Sequence, residues 1–288
     1  ILLLRRIPEK NAMAHRGQWD KDAQGAYEVR NKVVGIIGYG NIGAQVGILA
    51  ESVGMRVCYF DVDNKLPLGN AQSMSTLDAL LRHADVVTLH VPGEAATENI
   101  INQERLACMK PSAVLINASR GNVVEIAALD VALRQKKIAG AAIDVFPTEP
   151  GNQHEEFISP LRGLDNVILT PHIGGSTEEA QENIGREVAD KIARFLRAGT
   201  TRSAVNFPEI AYLPKHARHR ILHIHRNEPG VIAQMNAAFA AEGLNIVAQQ
   251  LQTQADIGYA MTDVDPPITD ALMTQLRGSP ATIRCDYL

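Results

Sequence analysis

The sequence predicts an α/β protein: a Rossmann-type doubly wound parallel sheet, the remnant of a second α/β domain, and a small βαββαβ domain of ferredoxin-like type. Three observations lead to this fold class. From residue 33 to about 199, continuous apolar strands alternate with helical patterns, which is typical of a parallel sheet covered on both faces. A G-x-G-x-x-G turn joins the first strand to the first helix. From about residue 220, the order of elements becomes β-α-β-β-α-β.

The first βαβ unit has a strand at 33–37, the glycine turn at 38–43, a helix that ends at Gly54, and a strand at 55–60. Apolar runs predict further strands at 84–92, 112–119, 139–146 and 166–172. Periodicity predicts helices at 76–83, 102–110, 125–137 and 176–199. The opening "ILLLRR" is interpreted as the last turns of a buried helix.

The last part of the chain has a different pattern. Strict alternation predicts a strand at 220–225, and an amphipathic helix follows at 229–243. The remaining elements are predicted as strands at 245–253, 257–265 and 282–288, with a helix at 268–278. Two prolines and little periodicity mark 203–219 as a linker. The predicted domains are therefore a dinucleotide-binding domain (1–174), a remnant of a substrate domain with the linker (175–216), and a regulatory domain (217–288).

Composition excludes some functions. The 288 residues are 45% hydrophobic and 21% charged, with a formal net charge of -4 and no long run of one sign. This charge gives no basis for binding nucleic acid or an anionic membrane. The apolar runs are too short for a membrane span. Three scattered cysteines, in no metal-ligand spacing, favour a reducing, cytoplasmic compartment.

The glycine turn and the acid after the second strand predict a dinucleotide site. Its glycines would allow a tight turn, close approach of a pyrophosphate, and packing of helix on strand (Gly38, Gly40, Gly43). The backbone N–H groups of Asn41 and Ile42 would face the phosphates at the helix N-terminus. Asp61 lies where a carboxylate would bind the adenosine ribose and repel a 2′-phosphate, so NAD is favoured over NADP. The alternative is a glycine-rich turn that binds no ligand.

Three polar residues each follow the carboxyl end of a predicted strand: Arg120, Glu149 and His172. In an open parallel sheet this edge binds ligands, so the three side chains are expected to converge. An arginine can grip a carboxylate, and a histidine beside a carboxylate can exchange a proton near neutral pH. The alternative is that each is an ordinary loop residue with local partners.

Four motifs occur in order: "GIIGYGNIGAQVGILAESVGMRVCYFD", "INASRGNVVE", "AAIDVFPTEP" and "LTPHIGGST". Together they resemble the D-isomer-specific 2-hydroxyacid dehydrogenases. The resemblance implies that Arg120 binds the substrate carboxylate, that His172 is the acid/base, and that Glu149 is its paired carboxylate. It also implies that the cofactor contacts the glycine turn, Arg120 and His172. The further cofactor contacts that it implies are Asn41, Ile42, Asp61, Ala118, Ser119, Asp144, Gly174 and Gly175.

Within that family, the chain is most similar to members that oxidise 3-phosphoglycerate to 3-phosphohydroxypyruvate with NAD, the first step of L-serine biosynthesis. Those members are homo-oligomers, expected here to be a tetramer. Two other functions stay open: a dehydrogenase of another 2-hydroxyacid such as 2-hydroxyglutarate, or a non-catalytic sensor of NAD or an amino acid. The family also has a further N-terminal segment of about a hundred residues. Residues 1–288 alone are therefore expected to be inactive or nearly so.

The βαββαβ segment resembles an ACT domain, a module that binds amino acids. The resemblance implies that L-serine acts as a feedback inhibitor through His225, Asn227 and Asn245. In the sequence, His223, His225 and Asn227 follow one another at a spacing of two, on one face of a strand or its continuation into a turn. The alternative is a polar rim without a ligand.

Overall fold

A computed structural model describes residues 1–211, 219–265 and 267–288. The chain forms two compact units, Ile1–Thr177 and Glu178–Leu288. The second half of the predicted linker, residues 212–218, lies outside the described residues. Within the described ranges, no helix combines the length and the apolar character that crossing a bilayer would need.

The first unit is built on a seven-stranded sheet in which every neighbouring pair is parallel. The strand order is β3-β2-β1-β4-β5-β6-β7, so the sheet extends in both directions from β1 and confirms the doubly wound prediction. The strands are β1 (Val33–Ile37), β2 (Arg56–Phe60), β3 (Gln72–Ser73), β4 (Val86–Leu89), β5 (Val114–Asn117), β6 (Gly140–Ile143) and β7 (Val167–Leu169). The two-residue β3 was not predicted, and β7 is shorter than the apolar run 166–172.

Helices cover both faces of this sheet, which explains why its central strands are buried along their whole length. They are α1 (Ile7–His15), α2 (Asn41–Ser52), α3 (Leu77–His83), α4 (Gln103–Cys108) and α5 (Ile126–Arg134), with a 3₁₀ turn at Gly121–Val123. The prediction that "ILLLRR" forms the last turns of a buried helix was wrong. These residues form turns that precede α1, and Leu4 is buried whereas Ile1 and Leu2 are exposed.

The second unit contains a long helix, α6 (Glu178–Ala198), and a four-stranded sheet covered by two helices. The sheet order is β11-β8-β10-β9, all antiparallel, which confirms the predicted ferredoxin-like pattern. Its elements are β8 (His219–Arg226), α7 (Val231–Ala241), β9 (Asn245–Gln254), β10 (Ile257–Asp265), α8 (Asp270–Gly278) and β11 (Thr282–Tyr287). Ile221 and Ala260 face the helices, whereas Leu222 and Met261 pack on the opposite face of the sheet.

A buried ion pair joins the end of α6 to this sheet. The Arg220 guanidinium donates to both carboxylate oxygens of Asp263, at 2.6 and 2.8 Å, and both side chains have 0% exposure. Its Nη1 donates to the Ala198 carbonyl at 2.9 Å. One residue further, the hydroxyl of Tyr259 donates to the Gly199 carbonyl at 2.6 Å. The last carbonyl groups of α6, which a helix cannot pair internally, are thereby satisfied by the sheet.

Candidate active site

The glycine turn lies between β1 and α2 and is held against the neighbouring strand. Gly38 has φ 87°, and a Cβ there would lie 2.5 Å from the His90 carbonyl oxygen, so glycine is required. A Cβ on Gly43 would collide with the Gly38 carbonyl oxygen, since helix and turn approach closely. A Cβ on Gly40, by contrast, would meet no atom within 4 Å. The outer side of the turn is therefore open while its inner side is closely packed.

The N-terminus of α2 opens on this turn. Gly40 is the N-cap residue, no side chain caps the helix, and Ile42 is 64% exposed. Asp61 follows β2, and its carboxylate accepts the N–H of Tyr39 at 2.7 Å and of Asp63 at 2.9 Å. One carboxylate thus ties the second strand to the glycine turn. It lies at the carboxyl edge of the sheet, where parallel sheets bind ligands.

These features fit NAD. An uncapped helix N-terminus presents backbone N–H groups to an anion such as a pyrophosphate. The open space at Gly40 leaves room for that group, and Asp61 is a carboxylate at the end of the second strand, as ribose binding requires. No group of three or more His, Cys, Asp or Glu side chains within the described ranges is arranged to hold a metal ion.

His172 and Glu149 are brought together, although they are 23 residues apart in sequence. The imidazole Nδ1 lies 2.9 Å from the Glu149 Oε2, and the other carboxylate oxygen accepts the N–H of Phe146 at 3.0 Å. The hydrogen bond to His172 is the largest effect and lowers the pKa of Glu149. Burial, the next largest, opposes it, and the N–H of Phe146 lowers the pKa further. The carboxylate therefore stays charged at neutral pH, and the side chain of His172 is about half exposed, with its Nδ1 anchored.

Asp144 holds the backbone on both sides of His172. Its Oδ1 accepts the hydroxyl of Thr170 at 2.6 Å and the N–H of Ile173 at 3.0 Å, and its Oδ2 accepts the N–H of Gly174 at 3.2 Å. Burial opposes ionisation, but these three hydrogen bonds outweigh it and lower the pKa of Asp144. The carboxylate at the end of β6 therefore fixes the turn that carries His172.

The backbone of His172 itself lies in the left-handed region, with φ 53°. A non-glycine residue in this conformation costs about 1 kcal/mol. Its N–H bonds to the Thr170 carbonyl at 3.0 Å, so the chain reverses sharply after β7. The Asp144 hydrogen bonds offset the cost of this turn.

Arg120 follows β5 in a loop organised by Asn117. The fully buried Asn117 donates to the Arg120 carbonyl at 2.9 Å and accepts the N–H and hydroxyl of Ser119 at 3.1 and 2.9 Å. Arg120 is exposed, and its Nη1 donates to the Ser119 carbonyl at 2.7 Å. A Cβ on Gly121 would collide with the Phe146 backbone, so this loop packs against the segment whose N–H binds Glu149.

The predicted cofactor contacts border the same edge of the sheet. Ala118 is exposed beside buried Ser119, and Gly174 and Gly175 are exposed just after His172. A cavity of about 610 Å³ lies beside the acid/base pair and includes Phe146, Glu149, Phe157 and His172 in its lining.

In the second unit, the predicted effector residues differ in their surroundings. His225 is 2% exposed, its Nδ1 lies 2.8 Å from the Arg226 carbonyl, and its Nε2 has no hydrogen-bond partner among the described residues. Asn227 lies in the turn after β8, where its backbone N–H bonds to Asp256 and its side chain to the Ala255 carbonyl. Asn245 is exposed at the start of β9.

Sequence reasoning missed two residues that build the active-site loops, Asn117 and Thr170. Both are polar residues at the carboxyl end of a strand, and both bind neighbouring backbone or side chains. Their position at the carboxyl end of a strand could have identified them, since Arg120, Glu149 and His172 were predicted from the same position. His90, at the end of β4, was also passed over; burial lowers its pKa, and its Nε2 lies 3.1 Å from the Thr88 hydroxyl.

Comparison with known proteins agrees with this geometry. Residues 1–174 match the family described as D-isomer specific 2-hydroxyacid dehydrogenase, NAD binding domain, and residues 221–284 match the AHAS small subunit-like ACT domain. The chain is 54% identical over 290 residues to D-3-phosphoglycerate dehydrogenase of Escherichia coli (strain K12), covering 100% of this chain and 70% of that protein. The enzyme of the same name from Haemophilus influenzae is also 54% identical, with the same coverage.

Solved structures show the same fold. D-lactate dehydrogenase with NAD+ from Lactobacillus jensenii is similar, with a TM-score of 0.64 and 29% identity, over 71% of this chain and 65% of that one. The NAD-complexed D-isomer specific 2-hydroxyacid dehydrogenase from Lactobacillus delbrueckii ssp. bulgaricus has a TM-score of 0.64 and 32% identity, over 71% and 66%. The chain spans about two thirds of these structures. With the glycine turn, the His172–Glu149 pair and the ACT match, the chain belongs to the NAD-dependent D-isomer specific 2-hydroxyacid dehydrogenases.

Proposed function

We propose that the protein oxidises 3-phospho-D-glycerate to 3-phosphohydroxypyruvate with NAD, the first step of L-serine biosynthesis. The observation that carries this proposal is the His172–Glu149 pair at the carboxyl edge of the sheet, 2.9 Å apart and next to the loop of Arg120. The substrate assignment rests on the 54% identity to enzymes named for this substrate.

In this mechanism His172 removes the proton of the C2 hydroxyl group through its Nε2, because Nδ1 is held by Glu149. The charged Glu149 orients the imidazole and stabilises the imidazolium that forms. Arg120 binds the substrate carboxylate or the C2 oxygen through its exposed guanidinium. Bound NAD supplies the acceptor for the hydride that leaves C2. Asp61 binds the adenosine ribose and disfavours NADP.

We also propose that L-serine is a feedback inhibitor that binds through His225, Asn227 and Asn245. The ACT match and the buried, unpartnered Nε2 of His225 among the described residues support this assignment. A domain arrangement of 1–174, 175–216 and 217–288, a tetrameric assembly and a cytoplasmic location complete the proposal. The first division lies close to the boundary between the two compact units at Thr177.

A His172→Asn substitution tests the catalytic assignment. It is made in the parent that has turnover: residues 1–288 or, if these are inactive as expected, residues 1–288 joined to the first part of the Escherichia coli relative. The variant should bind NAD and L-serine as the parent does, whereas NAD reduction by 3-phospho-D-glycerate should fall by at least a hundredfold. His83→Asn is the matched control. His83 is the last residue of α3 and precedes the start of β4, so it lies at the edge of the sheet opposite the candidate site. Unchanged turnover in His172→Asn would refute the mechanism.

The same assay separates the alternatives. Faster NAD reduction with 2-hydroxyglutarate than with 3-phospho-D-glycerate would transfer the proposal to that substrate. NAD binding without reduction by either hydroxyacid would favour a sensor, or the expected inactivity of residues 1–288 alone. Repeating the assay on the chain joined to the first part of the Escherichia coli relative would distinguish these two, because only an intact catalytic pair would then restore turnover.

A further inference from the structure

A lysine and a second carboxylate lie beside Asp61, in the loop that follows β2. The side chain of Asp63 is 71% exposed, and its Oδ2 accepts a hydrogen bond from the Lys65 ammonium at 2.8 Å. The backbone N–H of Asp63 donates to the Asp61 carboxylate at 2.9 Å, so the two acidic residues are held in one turn. Neither Asp63 nor Lys65 is among the predicted cofactor contacts.

Two stacked tyrosines fix this loop against the glycine turn. The buried rings of Tyr39 and Tyr59 have centroids 3.9 Å apart and an interplanar angle of 16°. The Tyr59 hydroxyl donates to the backbone carbonyl of Lys65 at 2.8 Å. The backbone N–H of Tyr39 donates to the Asp61 carboxylate at 2.7 Å. The Asp61 carboxylate and the Lys65 backbone are therefore tied to the same pair of tyrosines.

The Lys65 ammonium interacts with both carboxylates. The hydrogen bond to Asp63 is the largest effect and raises the pKa of Lys65; burial, the next largest, opposes it, and the charge of Asp61 raises the pKa further. Lys65 is therefore positively charged at neutral pH and lies within electrostatic range of Asp61, the residue proposed to bind the adenosine ribose. Together the three side chains carry one net negative charge. A 2′-phosphate, which adds a charge of about -1.5 to -2, is repelled by this arrangement.

We propose that Asp63 is a second determinant of cofactor choice, which acts by neutralising Lys65 and holding its ammonium away from the 2′-phosphate of NADP. This inference rests on the proposed preference for NAD and extends it beyond Asp61. Without the Asp63 carboxylate the three positions are neutral overall, and the Lys65 ammonium is free beside the ribose site. A lysine in this place can bind a phosphate as a point charge. NAD has a hydroxyl group where NADP has the phosphate, so its binding does not depend on this charge.

Fluorescence titrations of NADH and NADPH on the 288-residue protein measure this preference without requiring turnover. The substitution Asp63→Asn removes the charge and keeps the backbone N–H that binds Asp61. NADPH should bind this variant about tenfold more tightly than the parent, the effect expected of one unit charge on a phosphate a few ångströms away in water. NADH affinity should be unchanged. An exposed ion pair contributes little to stability, so the variant should fold as the parent does.

A double variant tests whether the gain depends on Lys65. In Asp63→Asn/Lys65→Met the local net charge returns to that of the parent, so the gain in NADPH affinity should disappear. Asp165→Asn is the matched control, because it removes the same unit charge from an exposed residue just before β7, at the amino ends of the parallel strands. NADPH affinity should not change in this control. In Asp63→Asn the gain should fall below about threefold at 1 M salt, where the Debye length is only about 3 Å.

Two results would overturn this inference and leave the proposed preference for NAD intact. If the parent prefers NADH and Asp63→Asn keeps the same ratio of affinities, Asp63 takes no part in cofactor choice. If the gain in NADPH affinity persists in Asp63→Asn/Lys65→Met, it does not come from the release of Lys65. Equal affinity of the parent for NADH and NADPH would instead contradict the preference for NAD itself, and the inference with it.

Discussion

Replacing Arg220 by methionine is expected to destabilise the second unit strongly. Arg220 and Asp263 are both fully buried, and the two hydrogen bonds between them are 2.6 and 2.8 Å long. The substitution removes the buried Arg220 guanidinium from the Asp263 carboxylate, and breaking a buried pair in this way costs about 3–5 kcal/mol. The Ala198 carbonyl also loses a donor, worth about 1 kcal/mol. Since a domain is stable by about 5–15 kcal/mol, this is a large fraction of the total.

The double variant Arg220→Met/Asp263→Leu distinguishes two causes of the lost stability. One is a buried carboxylate that has lost the arginine, and the other is the loss of packing contacts of the arginine side chain. Because both charged groups are then absent, most of the loss should be recovered, leaving a deficit of about 1–2 kcal/mol. Arg194→Met is the control, since its pair with Asp190 on α6 is about half exposed and is worth less than about 1 kcal/mol.

Native-state hydrogen exchange of the β8 and β10 amides is the suitable assay, because it reports the opening free energy of this sheet without a signal from the first unit. The order of stability should be parent, Arg194→Met, the double variant, and Arg220→Met last. A double variant no more stable than Arg220→Met would refute the argument. So would an Arg220→Met variant that loses no more than Arg194→Met.

Three further predictions follow from the site geometry. Gly43→Ala should weaken NAD binding and destabilise the first unit by at least about 2 kcal/mol in chemical denaturation, because its Cβ would collide with the Gly38 carbonyl; wild-type stability and affinity would contradict this. Asp61→Asn should reduce the preference for NAD over NADP in binding titrations, since the charge that repels a 2′-phosphate is lost; an unchanged ratio would show that other groups select the cofactor. The pKa of His223, about 4 in the folded protein and about 6.5 unfolded, predicts stability that is full above pH 6.5 and lost as pH falls towards 4, by at most about 3 kcal/mol. His223→Phe should remove this part of the pH dependence in urea denaturation, and the same slope in both proteins would count against it.

Much of the fold could be predicted because local pattern and tertiary environment agree. The strand Val33–Ile37 is buried at every position and appears in the sequence as an uninterrupted apolar run. The pair Gln72–Ser73 forms a strand only because the edge of β2 accepts it, and no two-residue pattern could reveal that. The run 166–172 was predicted too long because the turn at Thr170–His172 is fixed by the distant Asp144.

The sequence indicated where the candidate site lies, but not which hydrogen bonds hold its loops in place. Arg120, Glu149 and His172 were selected because each follows a strand of a parallel sheet, and the 2.9 Å contact between Glu149 and His172 agrees with that reasoning. Asn117 and Thr170 act through hydrogen bonds to a backbone carbonyl and to Asp144, which are contacts of the folded chain. Likewise, the hydrogen bond between the His223 imidazole and Thr282, 59 residues away in sequence, is a contact of the folded chain.

The hydrogen bonds of Asp144 have a consequence for redesign of the active site. They reach Thr170, Ile173 and Gly174, the neighbours of His172, and none of them involves the imidazole. The hydrogen bonds that fix the backbone around position 172 are therefore independent of which side chain stands at that position. A different side chain at position 172 would inherit the same location beside Glu149, provided that it tolerates the left-handed backbone, which favours asparagine and glycine among replacements. New chemistry could thus be installed at this point of the sheet without rebuilding the loop around it.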